Sequence, residues 1–322
     1  MTDFEKQLYD LSLIPVIRIE TADWAEPLAH ALCGGGLPAA EVTFRTPCAA
    51  EAIRRMKEAE PDMLVGAGTV LTPAQADEAA AAGASFIVSP GLNRSVVEHC
   101  LSLGIPVVPG CATPSDVECA IGLGLTTVKF FPAEPAGGLK MLRAMSGPYG
   151  GIRFMPTGGI TPANLSSYLS CPAVLACGGS FMIDEEAMRR GDFGVIRTST
   201  RQTLSQLFAF RLYHVGISAG GDRKAEAAAG LLSSMFGVPV REIPGALFVG
   251  DLMEIVREKG RGTHGHIGIS TPHLARAVAC LSRAGFAFDE GSRVLDEKGH
   301  MTTIYFRDEV LDFALHLTER KE

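Results

Sequence analysis

Eight short, apolar, β-rich runs recur between Ile14 and Ser180, and each is followed by an alanine- and leucine-rich stretch typical of a helix. Strands that alternate with helices pair in parallel, and eight such units in succession predict a closed (β/α)8 TIM barrel rather than an open doubly wound sheet. The runs are IPVIRI (14–19), AAEVTF (39–44), MLVGAG (63–68), SFIVSP (85–90), IPVVPG (105–110), TTVKFFP (126–132), RFMPTGG (153–159) and AVLACGG (173–179).

A second pattern begins after residue 208, where YHVGIS (213–218) is echoed by GHIGIS (265–270). Each copy continues with a helical stretch and then short strand candidates, which predicts two βαβββ modules. The strand candidates are 238–243, 245–250 and 252–256 in the first copy, and 286–289, 293–295, 302–306 and 313–318 in the second. The predicted α/β organisation is therefore a barrel over 1–208 and a smaller α+β domain over 209–322.

Charge and composition narrow the classes of partner. The formal net charge of -7 and the absence of a basic stripe argue against nucleic acid and favour a small-molecule partner. No run of about 18 apolar residues and no signal-like N-terminus occurs, so we expect no membrane span and a cytoplasmic location. The eight cysteines form no C-x-x-C pair, which favours reduced packing thiols.

Two strands carry charged residues at positions that should face the barrel interior. In strand two, Glu41, Thr43 and Arg45 alternate with apolar neighbours, and strand six places Lys129 between Val128 and Phe130. Burial disfavours the ammonium form, so a free amine at Lys129 could attack a carbonyl with Glu41 as its acid/base partner. The alternative is a structural lysine paired with Glu41.

Glycine-rich sequences end several of the predicted strands, on the rim where barrel active sites form. Backbone N–H groups at the ends of strands seven and eight can approach an anion closely, which is typical of a phosphate site. The alternative is that these glycines only make tight turns. The rim motifs are GAGT (66–69), SPG (89–91), PGC (109–111), PTGG (156–159) and GGS (178–180).

The ordered motifs over about residues 10–205 resemble the 2-keto-3-deoxy-6-phosphogluconate (KDPG) aldolase family, which includes 4-hydroxy-2-oxoglutarate (KHG) aldolases. They are LPAAEVTFRTPCA, LVGAGTVLTP, IVSPGL, VPGCATPSD, VKFFPAE, FMPTGGITPAN and CGGSFM. The resemblance implies a trimeric, metal-free class I aldolase that cleaves a 2-keto acid phosphate to pyruvate and glyceraldehyde 3-phosphate, or 4-hydroxy-2-oxoglutarate to pyruvate and glyoxylate. Thr157 favours the gluconate-derived substrate over its galactonate epimer, whose cleavage is the alternative.

The same resemblance implies roles for individual residues. Lys129 is the Schiff-base lysine and Glu41 the general acid/base. Three further groups would bind the substrate: Arg45, Thr69 and Thr157 its pyruvyl carboxylate or nearby hydroxyls, Pro90 and Phe131 the pocket walls, and Gly158, Gly159, Gly179, Ser180 and Arg18 its phosphate. A phosphosugar isomerase or epimerase on the same fold is the alternative that needs no imine-forming lysine.

The paired modules resemble the vicinal oxygen chelate (glyoxalase-like) superfamily, whose two modules form a cup around a divalent metal. The positions that match its ligands are His214, Glu254, His266 and His316. Three imidazoles and one carboxylate would suit zinc, nickel, manganese or iron. The alternatives for this domain are a metal-free assembly or regulatory role and a second, metal-dependent activity of its own.

Overall fold

Eight parallel strands close into a barrel within the first of two units, Met1–Leu207, of the computed structural model, which describes residues 1–320. The predicted fifth run is split in two at Pro109, which has no N–H to donate to a strand ladder. The strands are β1 (Leu13–Ile17), β2 (Ala39–Thr43), β3 (Leu64–Gly68), β4 (Phe86–Val88), β5 (Val107–Val108), β6 (Gly110–Cys111), β7 (Thr127–Phe130), β8 (Arg153–Pro156) and β9 (Cys177–Gly179).

Strand pairing runs around the whole barrel. The order β5-β4-β3-β2-β1-β9 forms one sheet and β6-β7-β8 another, and all of these pairs are parallel. Two parallel bridges, Phe154 to Val174 and Thr157 to Gly178, join the end segments across β8 and β9. The (β/α)8 prediction is confirmed.

Helices surround the barrel, and three of them begin with the same pair of residues. Thr72, Thr113 and Thr161 each precede a proline at the first helical position, where the missing proline N–H costs nothing. The helices are α1 (Asp3–Leu11), α2 (Ala25–Gly34), α3 (Ala49–Ala59), α4 (Pro73–Ala81), α5 (Arg94–Ser102), α6 (Pro114–Gly122), α7 (Gly138–Ser146), α8 (Pro162–Leu169), α9 (Glu185–Arg189) and α10 (Phe193–Phe208).

Two kinds of packing stabilise the barrel. Val42 of β2 lies in a large apolar cluster between strands and helices, and Phe44 packs against that cluster, so the alternate side chains of β2 face inward. At the opposite end from the rim, the buried carboxylate of Glu5 on α1 accepts hydrogen bonds from the hydroxyls of Thr126 (2.7 Å) and Thr127 (2.8 Å). Helix α1 therefore caps the N-terminal end of β7.

The second unit begins at Phe208 and contains two βαβββ modules, as predicted. Its eight strands form one sheet in the order β11-β12-β13-β10-β14-β17-β16-β15, with β10 and β14 antiparallel at the centre. The elements are β10 (Arg211–Ser218), α11 (Asp222–Phe236), β11 (Val240–Ile243), β12 (Ala246–Val249), β13 (Met253–Val256), β14 (Gly265–Thr271), α12 (Leu274–Arg283), β15 (Phe288–Leu295), β16 (Met301–Phe306) and β17 (Phe313–Glu319).

One detail of the second module differs from its prediction. Segments 286–289 and 293–295 were expected to be separate strands, whereas β15 runs continuously through an irregularity in its pairing with β16. The Ser292 hydroxyl accepts a hydrogen bond from the Tyr305 N–H at 2.9 Å, in place of a backbone oxygen. A side chain thus bridges the bulge and the strand continues.

No helix within the described residues has both the length and the apolar character needed to span a bilayer.

Candidate active site

A buried lysine and a buried glutamate meet inside the barrel. Lys129 lies in β7 and Glu41 in β2, and the Lys129 Nζ atom is 3.0 Å from Glu41 Oε1. Both residues are almost fully buried, at 5% and 0% exposure. The second carboxylate oxygen, Oε2, is buried and has no hydrogen-bond partner among residues 1–320. A buried oxygen without a partner is costly, so Oε2 is available to a water or a substrate hydroxyl.

Gly68 makes room for the Glu41 carboxylate, a role that the sequence patterns did not indicate. A Cβ atom at Gly68, which pairs with Thr43 across β2 and β3, would lie 2.4 Å from Glu41 Oε1 and 2.7 Å from its Cγ. No real Cβ tolerates such contacts. The sequence showed only that the end of β3 is rich in glycine. It did not indicate which side chain occupies the space beside Gly68.

Thr69, directly after β3, has a backbone conformation that threonine rarely adopts. Its φ angle is +57°, in the left-handed region. For a β-branched residue this costs about 1–2 kcal/mol, and such strain clusters at functional sites. The strain supports a functional reason for a threonine at this position of the rim.

Phe131 and Thr157 lie beside the lysine and the neighbouring strand ends. The ring centroid of Phe131 is 5.4 Å from Lys129 Nζ, and its edge would contact a Cβ at Gly158 at 3.4 Å. Thr157 is buried and pairs with Gly178, where any Cβ would lie 2.3 Å from the threonine hydroxyl. Phe131 after β7 therefore contacts the segment after β8, and Thr157 after β8 contacts Gly178 of β9.

The remaining predicted substrate ligands lie on or near the rim. Pro90 is partly buried, and its carbonyl oxygen would be 2.0 Å from a Cβ at Gly110. Gly179 is buried in β9, whereas Gly159 and Ser180 are exposed. Two arginines are also exposed: Arg45 follows β2, and Arg18 follows β1 and pairs with Glu20 at 3.0 Å. Neither arginine contacts the Lys129–Glu41 pair.

Three histidines and a glutamate converge in the second unit. The Nε2 atoms of His214 and His266 are 2.9 Å apart, and those of His214 and His316 are 3.2 Å apart. Glu254 Oε2 lies 3.0 Å from His266 Nε2 and 3.3 Å from His214 Nε2. Imidazole nitrogens that face one another at these distances repel unless a cation or proton lies between them.

Burial favours the neutral form of two of these imidazoles, those of His214 and His316. It lowers the pKa of His214, and it lowers the pKa of His316 to about 3 with help from the two neighbouring imidazoles. The hydrogen bond from His266 holds the pKa of the Glu254 carboxyl below its usual value. Neutral imidazoles and an ionised carboxylate are the forms that bind divalent metals.

Glycines lie opposite the histidines on the paired strands. Gly216 pairs with His266, and Gly268 pairs with both His214 and His316. A Cβ at Gly216 would lie 2.0 Å from the His266 ring, and one at Gly268 would lie 2.7 Å from His316 Nε2. The glycine two residues after each histidine therefore clears space for imidazole rings: Gly216 for His266 of the other module, and Gly268 for His316 of its own module and for His214 of the other.

The barrel is similar to known aldolases. A family model described as KDPG and KHG aldolase matches residues 4–199. A 2-dehydro-3-deoxy-phosphogluconate aldolase of Treponema pallidum is 49% identical over 204 residues, which cover 63% of this chain and 97% of that protein. The KHG/KDPG aldolase of Escherichia coli K12 is 42% identical over 203 residues, covering 63% of this chain and 95% of its own length.

A solved structure agrees with these matches. The KDPG aldolase of Legionella pneumophila, crystallised with pyruvate as a covalent carbinolamine, is 40% identical and superposes with a TM-score of 0.60. The superposition covers 63% of this chain and 98% of that one. Because the family model spans more than half of the sequence, this chain belongs to the KDPG and KHG aldolase family.

Proposed function

We propose that the barrel is a class I aldolase in which Lys129 forms a Schiff base with a 2-keto acid. The observation that carries the proposal is the buried Lys129–Glu41 pair, with 3.0 Å between Nζ and Oε1 and a free second carboxylate oxygen. A purely structural ion pair would gain nothing from leaving Oε2 without a partner. The substrate would be KDPG, cleaved to pyruvate and glyceraldehyde 3-phosphate.

The proposed chemistry uses only these two side chains and water. Glu41 accepts a proton from Lys129, and the free amine adds to the substrate ketone to give a carbinolamine. Glu41 returns that proton to the carbinolamine hydroxyl, which leaves as water and gives a protonated imine, so that Glu41 is again a carboxylate. Glu41 then removes the C4 hydroxyl proton through a water, the C3–C4 bond breaks to release the aldehyde, and the imine accepts the electron pair as an enamine. Protonation at C3 and hydrolysis release pyruvate and regenerate Lys129.

The rim residues would bind the two ends of the substrate. Thr69 and Arg45 follow β3 and β2 and would hold the carboxylate, with Thr157 contacting a nearby hydroxyl and Pro90 and Phe131 shaping the pocket. The phosphate would lie against Gly158, Gly159, Gly179 and Ser180, with Arg18 as a further cation. Cleavage of 4-hydroxy-2-oxoglutarate is a second reaction of the same site, and the galactonate epimer is the alternative sugar.

Borohydride trapping tests this assignment directly. Pyruvate and sodium borohydride should add one reduced pyruvyl group to the wild-type protein at Lys129, located by peptide mass spectrometry. Lys129→Ala should remove the label, and Glu41→Gln should keep it while losing turnover. Trapping in Lys129→Ala, or wild-type protein that cleaves neither substrate, would contradict the proposal.

The second unit would be a vicinal oxygen chelate domain, spanning 209–322, that binds a divalent metal. His214, Glu254, His266 and His316 would hold the ion, and the four contacts of 2.9–3.3 Å between their donor atoms support this. They are near the separation of about 3.0–3.4 Å expected for ligands about 2.1 Å from one metal. Within residues 1–320 the Nδ1 atom of His214 is buried without a hydrogen-bond partner, so no acceptor among them selects its tautomer. Zinc, nickel, manganese or iron would supply Lewis acidity there.

Metal analysis of the purified full-length chain tests the second site. We expect about one equivalent of a divalent metal per chain, a loss of that metal in His266→Ala, and a higher melting temperature after metal is added back. Metal content that is unchanged in His266→Ala would contradict the ligand set.

We propose that the chain assembles as a homotrimer. The solution mass from sedimentation equilibrium tests this.

A further inference from the structure

The backbone at Gly158 and Gly159 has the form of an anion cradle. Both glycines have positive φ angles, +95° and +82°, which a residue with a Cβ rarely adopts. Neither of their N–H groups donates to a protein acceptor within residues 1–320, while both of their carbonyl oxygens accept hydrogen bonds. The two N–H groups are therefore free for a ligand, and the carbonyls are fixed away from it.

Three residues, Glu134, Asn164 and Tyr168, surround this backbone and are linked to it directly or through one another. The Asn164 Nδ2 atom donates to the Gly159 oxygen at 3.0 Å, and the Asn164 Oδ1 atom accepts from the Thr161 N–H at 2.8 Å. The Glu134 N–H donates to the Gly158 oxygen at 3.0 Å, and its side chain lies so close that a Cβ at Gly159 would be 2.6 Å from the Glu134 Cγ. The hydroxyl of buried Tyr168 donates to the Glu134 carboxylate.

We propose that Glu134, Asn164 and Tyr168 are positioning residues that hold the Gly158–Gly159 backbone in shape for the phosphate end of the substrate. This inference rests on the proposed aldolase function and extends it to the choice between substrates. Asn164 and Tyr168 lie one helical turn apart on α8, so the helix carries both contacts on one face.

The Tyr168 hydroxyl also controls where a negative charge lies. A carboxylate beside a phosphate site repels the ligand unless a donor fixes it in another direction. The Tyr168 hydroxyl and Glu134 Oε1 both lie near Gly138, at 3.4 Å and 3.2 Å from the place of a Cβ there. The hydrogen bond thus holds the carboxylate toward α7 and α8 and keeps it off the Gly159 N–H.

Substrates with and without phosphate separate positioning from general stability. In Tyr168→Phe and Glu134→Ala we expect KM for KDPG to rise about tenfold, the loss expected from one hydrogen bond to a charged group. For 4-hydroxy-2-oxoglutarate, which has no phosphate, kcat/KM should change by less than about twofold. Borohydride trapping with pyruvate reports that the Lys129 site is intact.

Two further variants test geometry against charge. Glu134→Gln keeps an acceptor for the Tyr168 hydroxyl and should keep KM for KDPG near the wild-type value. A purely electrostatic role predicts instead that Glu134→Ala and Glu134→Gln both lower KM, because each removes a negative charge near the phosphate. Tyr149→Phe is the matched control, since the Tyr149 hydroxyl also donates to a glutamate, Glu118, at 3.0 Å but on the exposed surface.

The outcomes are distinguishable. A KDPG-selective rise in KM that Glu134→Gln does not show supports the inference. Equal losses on both substrates, or no change in Tyr168→Phe, overturn it. Wild-type protein that traps pyruvate but cleaves only the substrate without phosphate also overturns it and leaves the imine chemistry standing, whereas wild-type protein that traps no pyruvate defeats the proposed function itself.

Discussion

Gly68→Ala tests whether turnover depends on the position of the Glu41 carboxylate, because the variant keeps the carboxylate but should displace it. The added methyl carbon would lie 2.4 Å from Glu41 Oε1, 2.7 Å from Cγ and 2.9 Å from Cδ. Ordinary contact begins near 3.4 Å. The carboxylate must therefore move by about 1 Å, and a shift directed away from Lys129 Nζ would lengthen their 3.0 Å contact to about 4 Å, beyond hydrogen-bond range.

The size of the effect follows from that displacement. Misplacing a catalytic group by about 1 Å costs on the order of 10²-fold in rate, equivalent to about 2.7 kcal/mol in the activation barrier. The Lys129 amine itself is untouched, so it can still condense with pyruvate. We therefore expect kcat/KM for KDPG to fall about 10²-fold while borohydride trapping persists.

Coupled pyruvate detection measures the turnover, and thermal unfolding checks that the variant is folded. Gly122→Ala is the matched control, because Gly122 ends α6 and a Cβ there would meet no atom of residues 1–320 within 4 Å. A folded Gly68→Ala protein with wild-type kcat/KM would refute the idea that the missing Cβ sets the carboxylate position.

Three further predictions concern strain, buried charge and thiols. Thr69→Gly should raise the free energy of unfolding by about 0.5–1 kcal/mol, because glycine tolerates a φ of +57°. The same variant should have a higher KM for the 2-keto acid. Chemical denaturation measures the first effect and steady-state kinetics the second. Glu5→Gln should destabilise the barrel by about 1–2 kcal/mol at pH 7. Burial opposes ionisation of Glu5, but hydrogen bonds hold its pKa below 4.5. The stabilisation by the Glu5 carboxylate is therefore present above that pH and is lost as the pH falls through the pKa. When denaturation is repeated at lower pH, the difference in stability between wild type and Glu5→Gln should shrink. Ellman's reagent at pH 8 should modify exposed Cys119 before Cys111, because burial raises the pKa of the Cys111 thiol to about 12. Peptide mapping locates the modified cysteines, and rapid modification of Cys111 would contradict its buried position.

Local periodicity predicted the barrel and its central pair for a clear physical reason. Side chains alternate along a strand, so the polar positions of β2 and the lysine of β7 had to face the interior of any closed parallel barrel. The positions of Glu41 and Lys129 within their own strands were enough to place both in the interior. The repeat of HVGIS and HIGIS likewise predicted two similar modules.

Periodicity within single strands and helices could not predict contacts between side chains that are distant in sequence. Gly68 matters because of a carboxylate on the neighbouring strand, and Tyr168 matters because its hydroxyl reaches Glu134 on a loop before α7. Neither residue has a local signature, since a glycine at a strand end and a tyrosine on a helix are both ordinary. The continuous strand β15 was missed for a similar reason, because a serine hydroxyl bridges its bulge.

The proposed metal site of the second unit would draw its ligands from both modules. His214 and Glu254 come from the first module, and His266 and His316 from the second, across the central β10–β14 pair. Each half alone offers only two donor groups, too few to retain a divalent ion well. An ion bound at this interface would link the two modules. Separation of the modules would therefore release the ion before either module had to unfold.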